Sequence, residues 1–206
     1  TVILFSISAM ANLPYASYVV LSVYLLIDGF KYNPKFSIIM PVYNVDQTWL
    51  KKAVDSVFNQ LYENWELCIA DDASSKEHIK SVLIKYDKND DRIKIKFLKE
   101  NQGIPGASNE ALSMATGEFI GLLDNDDELS IDALYENVKL LNAVPDADMI
   151  YSDEDKLDIK GKRSDPFFKP DWSPDMLFSC MYTGHFGVYR KKIVDEIGGF
   201  RIGYEG

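Results

Sequence analysis

The chain has 206 residues, with 32 acidic side chains against 22 Lys and Arg and a formal charge of −10. Hydrophobic residues at 47% and charged residues at 26% are globular proportions, which excludes a disordered or fibrous chain. The acidic balance argues against a nucleic-acid surface, which needs Lys and Arg to neutralise phosphates. At ~100–200 residues per domain, one domain with its own core is expected. Cys68 and Cys180 lie far apart with no Cys-x-x-Cys or Cys/His cluster, excluding a disulfide scaffold and a zinc site of the usual spacing. Both are expected as reduced thiols in packed surroundings, which suits a cytoplasmic compartment.

No Asp, Glu, Lys or Arg occurs from Thr1 to Ile27. This apolar stretch reaches the ~20 residues that span a bilayer, yet it carries Asn12, Pro14, serines and tyrosines. Residues 1–33 are therefore expected as a separate segment, either a membrane or membrane-surface helix or a helix packing on the domain. If it spans, Lys31, Lys35, Lys51 and Lys52 favour the cytoplasmic side, the inner face of the membrane, for the rest. Residues 34–206 form the expected domain.

From Lys35 onward strand and helix patterns alternate. Phe36 to Val42 is an apolar run of strand length, stopped by Pro41 and Asn44. Leu50, Ala53, Val54, Val57, Phe58 and Leu61 recur at helical spacing, with Asp46 or Thr48 as the cap. Trp65 to Ala70 is a second apolar run, ending in Asp71-Asp72. Ile79, Val82, Leu83 and Tyr86 mark a second amphipathic helix. Ile93 to Leu98 alternates with period two, predicting a half-exposed strand. A turn from Gly103 to Gly106 leads into a small-residue helix around Ala107, Ala111 and Leu112. Glu118 to Leu123 is a further strand, ending in Asp124-Asn125-Asp126-Asp127. Ile131, Leu134, Val138 and Leu141 predict another helix, and Ala147 to Tyr151 another strand. Lys156 to Thr183 reads as a long loop; His185 to Arg190 resumes a strand, and Lys191 to Ile197 a short helix.

This β-α-β-α order implies an α/β fold with a mostly parallel sheet covered by helices on both faces. The site is then expected beyond the carboxyl ends of the strands. Polar residues collect there: Tyr43-Asn44, Asp71-Asp72, Asp124 to Asp127, and Asp153-Glu154-Asp155. Such carboxylates repel one another and raise each other's pKa unless a cation sits among them. Hard oxygen ligands suit Mg²⁺ or Mn²⁺, whose coordination is completed by phosphate oxygens. A cation of this kind lets an acidic protein take an anionic nucleotide diphosphate and stabilises the diphosphate as a leaving group.

Each feature also has a plainer reading. Asp71-Asp72 and Asp124 to Asp127 are also consistent with turn residues or helix caps, and Gly103 and Gly106 with simple turn glycines. His185 reads more readily as a satisfied strand-end histidine than as a metal ligand, and His78 as a surface residue. Phe167, Phe168, Trp172 and Tyr182 are loop-packing residues or a platform for sugar rings.

Ser37-Ile38-Ile39-Met40-Pro41-Val42-Tyr43-Asn44, Ala70-Asp71-Asp72-Ala73-Ser74, Asn101-Gln102-Gly103 with Ser108-Asn109, and Leu123-Asp124-Asn125-Asp126-Asp127 occur in an order that resembles glycosyltransferase family 2. Tyr151 to Lys156, Phe168 to Pro174 and Gly198-Gly199-Phe200-Arg201 resemble the branch that builds bacterial polysaccharides such as O-antigens. The resemblance covers about residues 36–206 and implies a GT-A fold, a Rossmann-like three-layer sandwich. It also implies metal-dependent transfer of a sugar from a nucleotide-diphosphate donor to a saccharide or lipid-linked acceptor, with inversion.

Residue by residue, the resemblance puts Pro41 and Tyr43 in the nucleotide pocket, Asp71 on the base with Asp72 beside it, and Gly103 and Asn109 along the nucleotide. Asp124 and Asp126 match the Asp-x-Asp motif, the first near the ribose and the metal, the second at the metal. Asp153, Glu154 and His185 are candidates for the acceptor side. Inversion needs a general base, which the resemblance places beyond Gly206. Two alternatives remain: a non-catalytic nucleotide-sugar-binding fragment, and a Mg²⁺-binding receiver-like module. The latter wants an aspartate ending the third strand, where Leu98-Lys99-Glu100-Asn101 has none.

Overall fold

The computed structural model describes residues 3–4, 30–158 and 160–204. Apart from Ile3–Leu4, the apolar segment expected as a membrane or packing helix lies outside the described residues. Among the described residues, no helix is long and apolar enough to cross a membrane.

Ile3–Leu4 (β1) opens the element order, followed by Phe36–Val42 (β2), Gln47–Phe58 (α1), Trp65–Asp71 (β3), Glu77–Asp87 (α2), Ile93–Phe97 (β4), Gly103–Leu112 (α3) and Phe119–Leu122 (β5). Ala133–Ala143 (α4), Met149–Ser152 (β6), Glu154–Leu157 (β7), Arg163–Phe167 (β8), Pro174–Ser179 (α5), Val188–Arg190 (β9) and Lys191–Glu196 (α6) complete it. The main sheet has the order β1-β6-β9-β5-β2-β3-β4. Its pairs are parallel except those that β9 makes with β5 and β6.

The strands at the centre are apolar on both sides because both sides are covered. Phe36, Ile38, Met40 and Val42 of β2 pack with Leu50 and Val54 of α1, Leu83 of α2 and Leu134 and Val138 of α4. Ile39, on the opposite face, packs with Ala107 and Ala111 of α3 and Val194 of α6. The expected three-layer α/β sandwich is therefore present, with β2 at its middle.

Local signals explain the boundaries. The Asp46 carboxylate accepts the Thr48 N–H at 2.8 Å and caps α1. The helix α3 begins at Gly103, so both glycines expected in a preceding turn lie inside it. A Cβ on Gly106 would stand 2.4 Å from the Gln102 Cβ, so close packing requires glycine there. The helix α4 starts only at Ala133, with Asp132 at its cap and Ile131 exposed. Asp124 to Asp127 are thus not its cap.

Three other expectations are corrected. The stretch from Lys156 to Thr183 is not one long loop: β7 and β8 pair as an antiparallel hairpin, and α5 follows. The hairpin's strands face each other through charged side chains, with Arg163–Asp155 and Lys156–Asp165 ion pairs in place of an apolar alternation, so the hydrophobic pattern carried no sign of it. Cys68 is buried as expected, whereas Cys180 is exposed. His78 is not a free surface residue: it is partly buried, and its Nε2 lies 3.0 Å from the Val45 carbonyl.

Candidate functional site

The carboxyl ends of β2, β3, β5 and β6 share one edge. Because β9 runs antiparallel to its neighbours, its beginning lies on that edge, and His185 arrives just before it. Adjacent strands are about 4.8 Å apart, so the ends of β3 and β5, which flank β2, stand about 10 Å from each other.

At the end of β2, Tyr43 is half exposed and the Pro41 carbonyl accepts the Asn125 Nδ2 at 2.8 Å. This bond ties β2 to the acidic turn after β5. Asn44 adopts a left-handed backbone with φ 48, and its Oδ1 accepts the N–H groups of Ser75 at 2.9 Å and Lys76 at 3.2 Å. It thereby satisfies donors leading into α2, whose own cap residue, Lys76, makes no side-chain cap bond. Sequence reasoning placed Asn44 at the strand end without foreseeing this role.

Asp71 and Asp72 are both buried. The Asp72 carboxylate accepts the Gln102 N–H at 2.7 Å, so it anchors the loop that leads into α3. Asp71 Oδ1 has the Ser74 N–H at 3.4 Å. Gly103 stands at the start of α3 with φ 71 and donates its N–H to Asn101 Oδ1 at 3.2 Å. Asn109 lies further along α3, where its carboxamide exchanges two bonds of 2.8 Å with the backbone of Phe200. A Cβ on Gly199 would come 2.5 Å from Asn109 Oδ1, which explains the glycine beside this clasp.

The turn after β5 is closed by the Asp127 N–H on the Asp124 carbonyl at 3.3 Å. This closure turns the first and last aspartates toward a common point, where ligand atoms of Asp124, Asp127 and His185 lie within 4.8 Å of one another. His185 Nδ1 is 3.3 Å from Asp127 Oδ2. Burial pushes the Asp127 carboxyl above the usual carboxylate range; His185 pulls it down, while Asp124, Asp126 and Glu154 push it further up. Asp126 is outside that group of three. It lines, with Asp127, Asp153, Glu154, His185 and Trp49, a cavity of about 580 Å³ between the turn and the β7–β8 hairpin.

Two carboxylates and an imidazole fit a divalent cation: burial and the like charges both disfavour the ionised Asp127, and a cation would relieve that. Sequence reasoning selected Asp124 but not Asp127, and set His185 toward the acceptor. The antiparallel course of β9, which local patterns do not encode, is what brings His185 beside Asp127.

The chain matches the family model described as "Glycosyl transferase family 2" over residues 37–198. It belongs to that family. It is 44% identical over 174 residues to the uncharacterised protein y4gI of Sinorhizobium fredii, covering 84% of this chain and 19% of that protein. The O-antigen biosynthesis protein RfbC of Myxococcus xanthus is 38% identical over 174 residues, 84% of this chain and 14% of RfbC. The chain thus spans less than a fifth of these curated relatives. Among solved structures, S. aureus TarS residues 1–349 in complex with UDP superposes with a TM-score of 0.64 at 21% identity, over 79% of this chain and 48% of that one. The mannosyltransferase PcManGT from Pyrobaculum calidifontis, in complex with GDP-Man and Mn²⁺, superposes with a TM-score of 0.61 at 19% identity, over 91% and 56%. These likenesses confirm the GT-A architecture.

Proposed function

We propose that residues 34–206 bind a nucleotide-diphosphate sugar along the carboxyl edge of the sheet and serve an inverting glycosyltransferase that builds cell-surface polysaccharide. The carrying observation is the meeting of Asp124 and Asp127 with His185, about two strand spacings from the buried Asp71 and Asp72. That separation suits a nucleoside at one end and its diphosphate at the other. The family membership, the name of RfbC and the UDP, GDP-Man and Mn²⁺ in the two structural relatives support the same reading.

In this reading Pro41, Tyr43, Asp71 and Asp72 form the nucleoside end, with Gly103 beside them and Asn109 acting further back. Asp71, whose carboxylate has only the long Ser74 N–H contact among the described residues, would accept from the base, whereas Asp72 keeps the loop before α3 in place. Asp124, Asp127 and His185 would hold the cation, with Asp126 on the cavity wall beside them. A bound Mn²⁺ or Mg²⁺ would neutralise the diphosphate and stabilise it as it leaves. Asp153 and Glu154 line the same cavity, where a saccharide or lipid-linked acceptor would approach. No residue is assigned as the general base.

Calorimetric titration of UDP and of GDP, with Mn²⁺ and with EDTA, tests the proposal. At least one nucleotide is expected to bind the chain, more tightly with Mn²⁺, and Asp127→Ala should remove the metal-dependent part. Equal affinity in EDTA, or a metal effect that survives Asp127→Ala, overturns it.

A further inference from the structure

Lys169 lies between β8 and α5, and its side chain has 0% exposure. An ammonium in such a place is strongly unfavourable unless acceptors surround it. Its Nζ donates to Glu154 Oε2 at 2.8 Å and to the His185 carbonyl. Its backbone N–H donates to Asp153 Oδ1 at 2.7 Å, and the Phe167 ring lies 5.8 Å from the Nζ. The Phe186 N–H, at the other end of the same peptide unit as the His185 carbonyl, donates to Ser152 Oγ at 3.0 Å. Both polar groups of the peptide unit behind the His185 imidazole are thus bonded, the carbonyl to a buried cation and the N–H to a hydroxyl. The ring itself is half exposed, so its place beside Asp127 depends on the backbone more than on packing.

We infer that Lys169 is a positioning residue for the cation group: its ammonium fixes the His185 backbone, and through it the imidazole against Asp124 and Asp127. Ser152 assists by accepting the N–H of the same peptide unit. The inference rests on the proposal that Asp124, Asp127 and His185 hold the divalent ion.

Charge and position make opposite demands here, which separates this role from a merely electrostatic or structural one. Removing a positive charge that neighbours a cation site, and leaving Glu154 without its partner, favours cation binding. Losing the hold on a ligand weakens it; loss of an outer partner of a metal ligand typically lowers affinity ~10–100-fold. The sign of the change in Lys169→Met therefore identifies the role.

The test is a titration of the 206-residue chain with Mn²⁺ alone, following free Mn²⁺ by its paramagnetic resonance signal. Wild type, Lys169→Met, His185→Ala and the double variant are compared, with the melting temperature of each. Lys169→Met is expected to weaken Mn²⁺ binding about tenfold. The double variant should bind no more weakly than His185→Ala alone, because both changes act through one side chain. If His185→Ala binds Mn²⁺ as wild type does, the ligand assignment fails and this inference with it. If His185→Ala weakens binding while Lys169→Met leaves it unchanged or tightens it, Lys169 is a structural plug and only this inference fails. Additive losses in the double variant overturn it too. Should Lys169→Met not fold, Ser152→Ala reads the same coupling: a smaller loss of affinity, absent in the His185→Ala background, supports the inference, and an unchanged affinity overturns it.

Discussion

The carboxylate of Glu66 gives a stability prediction that can be worked from the structure. Glu66 stands near the start of β3, at the sheet edge opposite the candidate site, with its side chain 1% exposed. Lys35 Nζ at 2.5 Å and Lys94 Nζ at 2.8 Å reach its Oε2, and Ser37 Oγ at 2.6 Å and the Thr116 N–H at 2.5 Å reach its Oε1. Burial alone would raise its pKa; these four donors overcome that and bring it from 4.5 down to about 2. At about 1.4 kcal/mol per pKa unit, the ionised group contributes about 3 kcal/mol to the fold at neutral pH. The folded value lies below the unfolded one, so this contribution is complete above about pH 4.5 and is lost as the pH falls toward about 2. Glu66→Gln imitates the protonated group. It should cost about 3 kcal/mol at pH 7, a melting temperature lower by roughly 6–12 °C for a chain of this size. Urea unfolding of both proteins at pH 7 and pH 3 checks this, the gap narrowing at the lower pH. A loss below about 0.5 kcal/mol at pH 7, the size of an ordinary surface change, would refute the reasoning. So would the same loss at both pH values.

Asn109→Ala removes both bonds to the Phe200 backbone, so the Phe200 amide should exchange its hydrogen faster, by tenfold or more, while the amides of β2 keep wild-type rates; hydrogen-exchange mass spectrometry reads both. Asp72→Ala frees the Gln102 N–H and should destabilise the fold by about 1.5–3 kcal/mol, the range for a bond to a charged acceptor, as measured in urea. Asp127→Asn relieves the repulsion with Asp124, Asp126 and Glu154, so the metal-free chain should melt at a higher temperature than wild type. The same variant should lose most of the rise in melting temperature that Mn²⁺ gives the wild type.

The core of the fold was legible because β2 and β3 are covered on both faces. Their apolar runs, and the helical spacing of Leu50, Ala53, Val54 and Val57, left little choice of element. Where charge replaces apolar alternation the reading failed, as in the hairpin whose strands meet through Asp155 and Arg163. The strand-end aspartates could be placed on one edge from topology alone. Which of them converge could not: Asp124 and Asp127 meet through a turn closed by one hydrogen bond, and His185 joins them only because β9 enters from the reverse direction. Lys169 gave no signal either, since a lysine in a polar stretch is normally solvated, and its burial depends on Glu154 and the His185 carbonyl arriving from elsewhere.

The two edges of the sheet treat a carboxylate in opposite ways, and the contrast bears on function. At the amino-terminal edge Glu66 is buried but surrounded by donors, and its proton affinity falls; the group works for the fold as it stands. At the carboxyl edge burial raises the proton affinity of Asp127, and the neighbouring carboxylates raise it further, with His185 as the opposing partner. Glu154 has a stabilising partner in Lys169, but for Asp127 the neighbouring Asp124, Asp126 and Glu154 are unfavourable. A divalent cation among these groups would offset the repulsions, because each carboxylate would also be attracted to the ion. Stability withheld in the empty state and returned on binding is what an acidic protein needs to hold a diphosphate, and it links the sign of one pKa shift to the donor proposed for this edge.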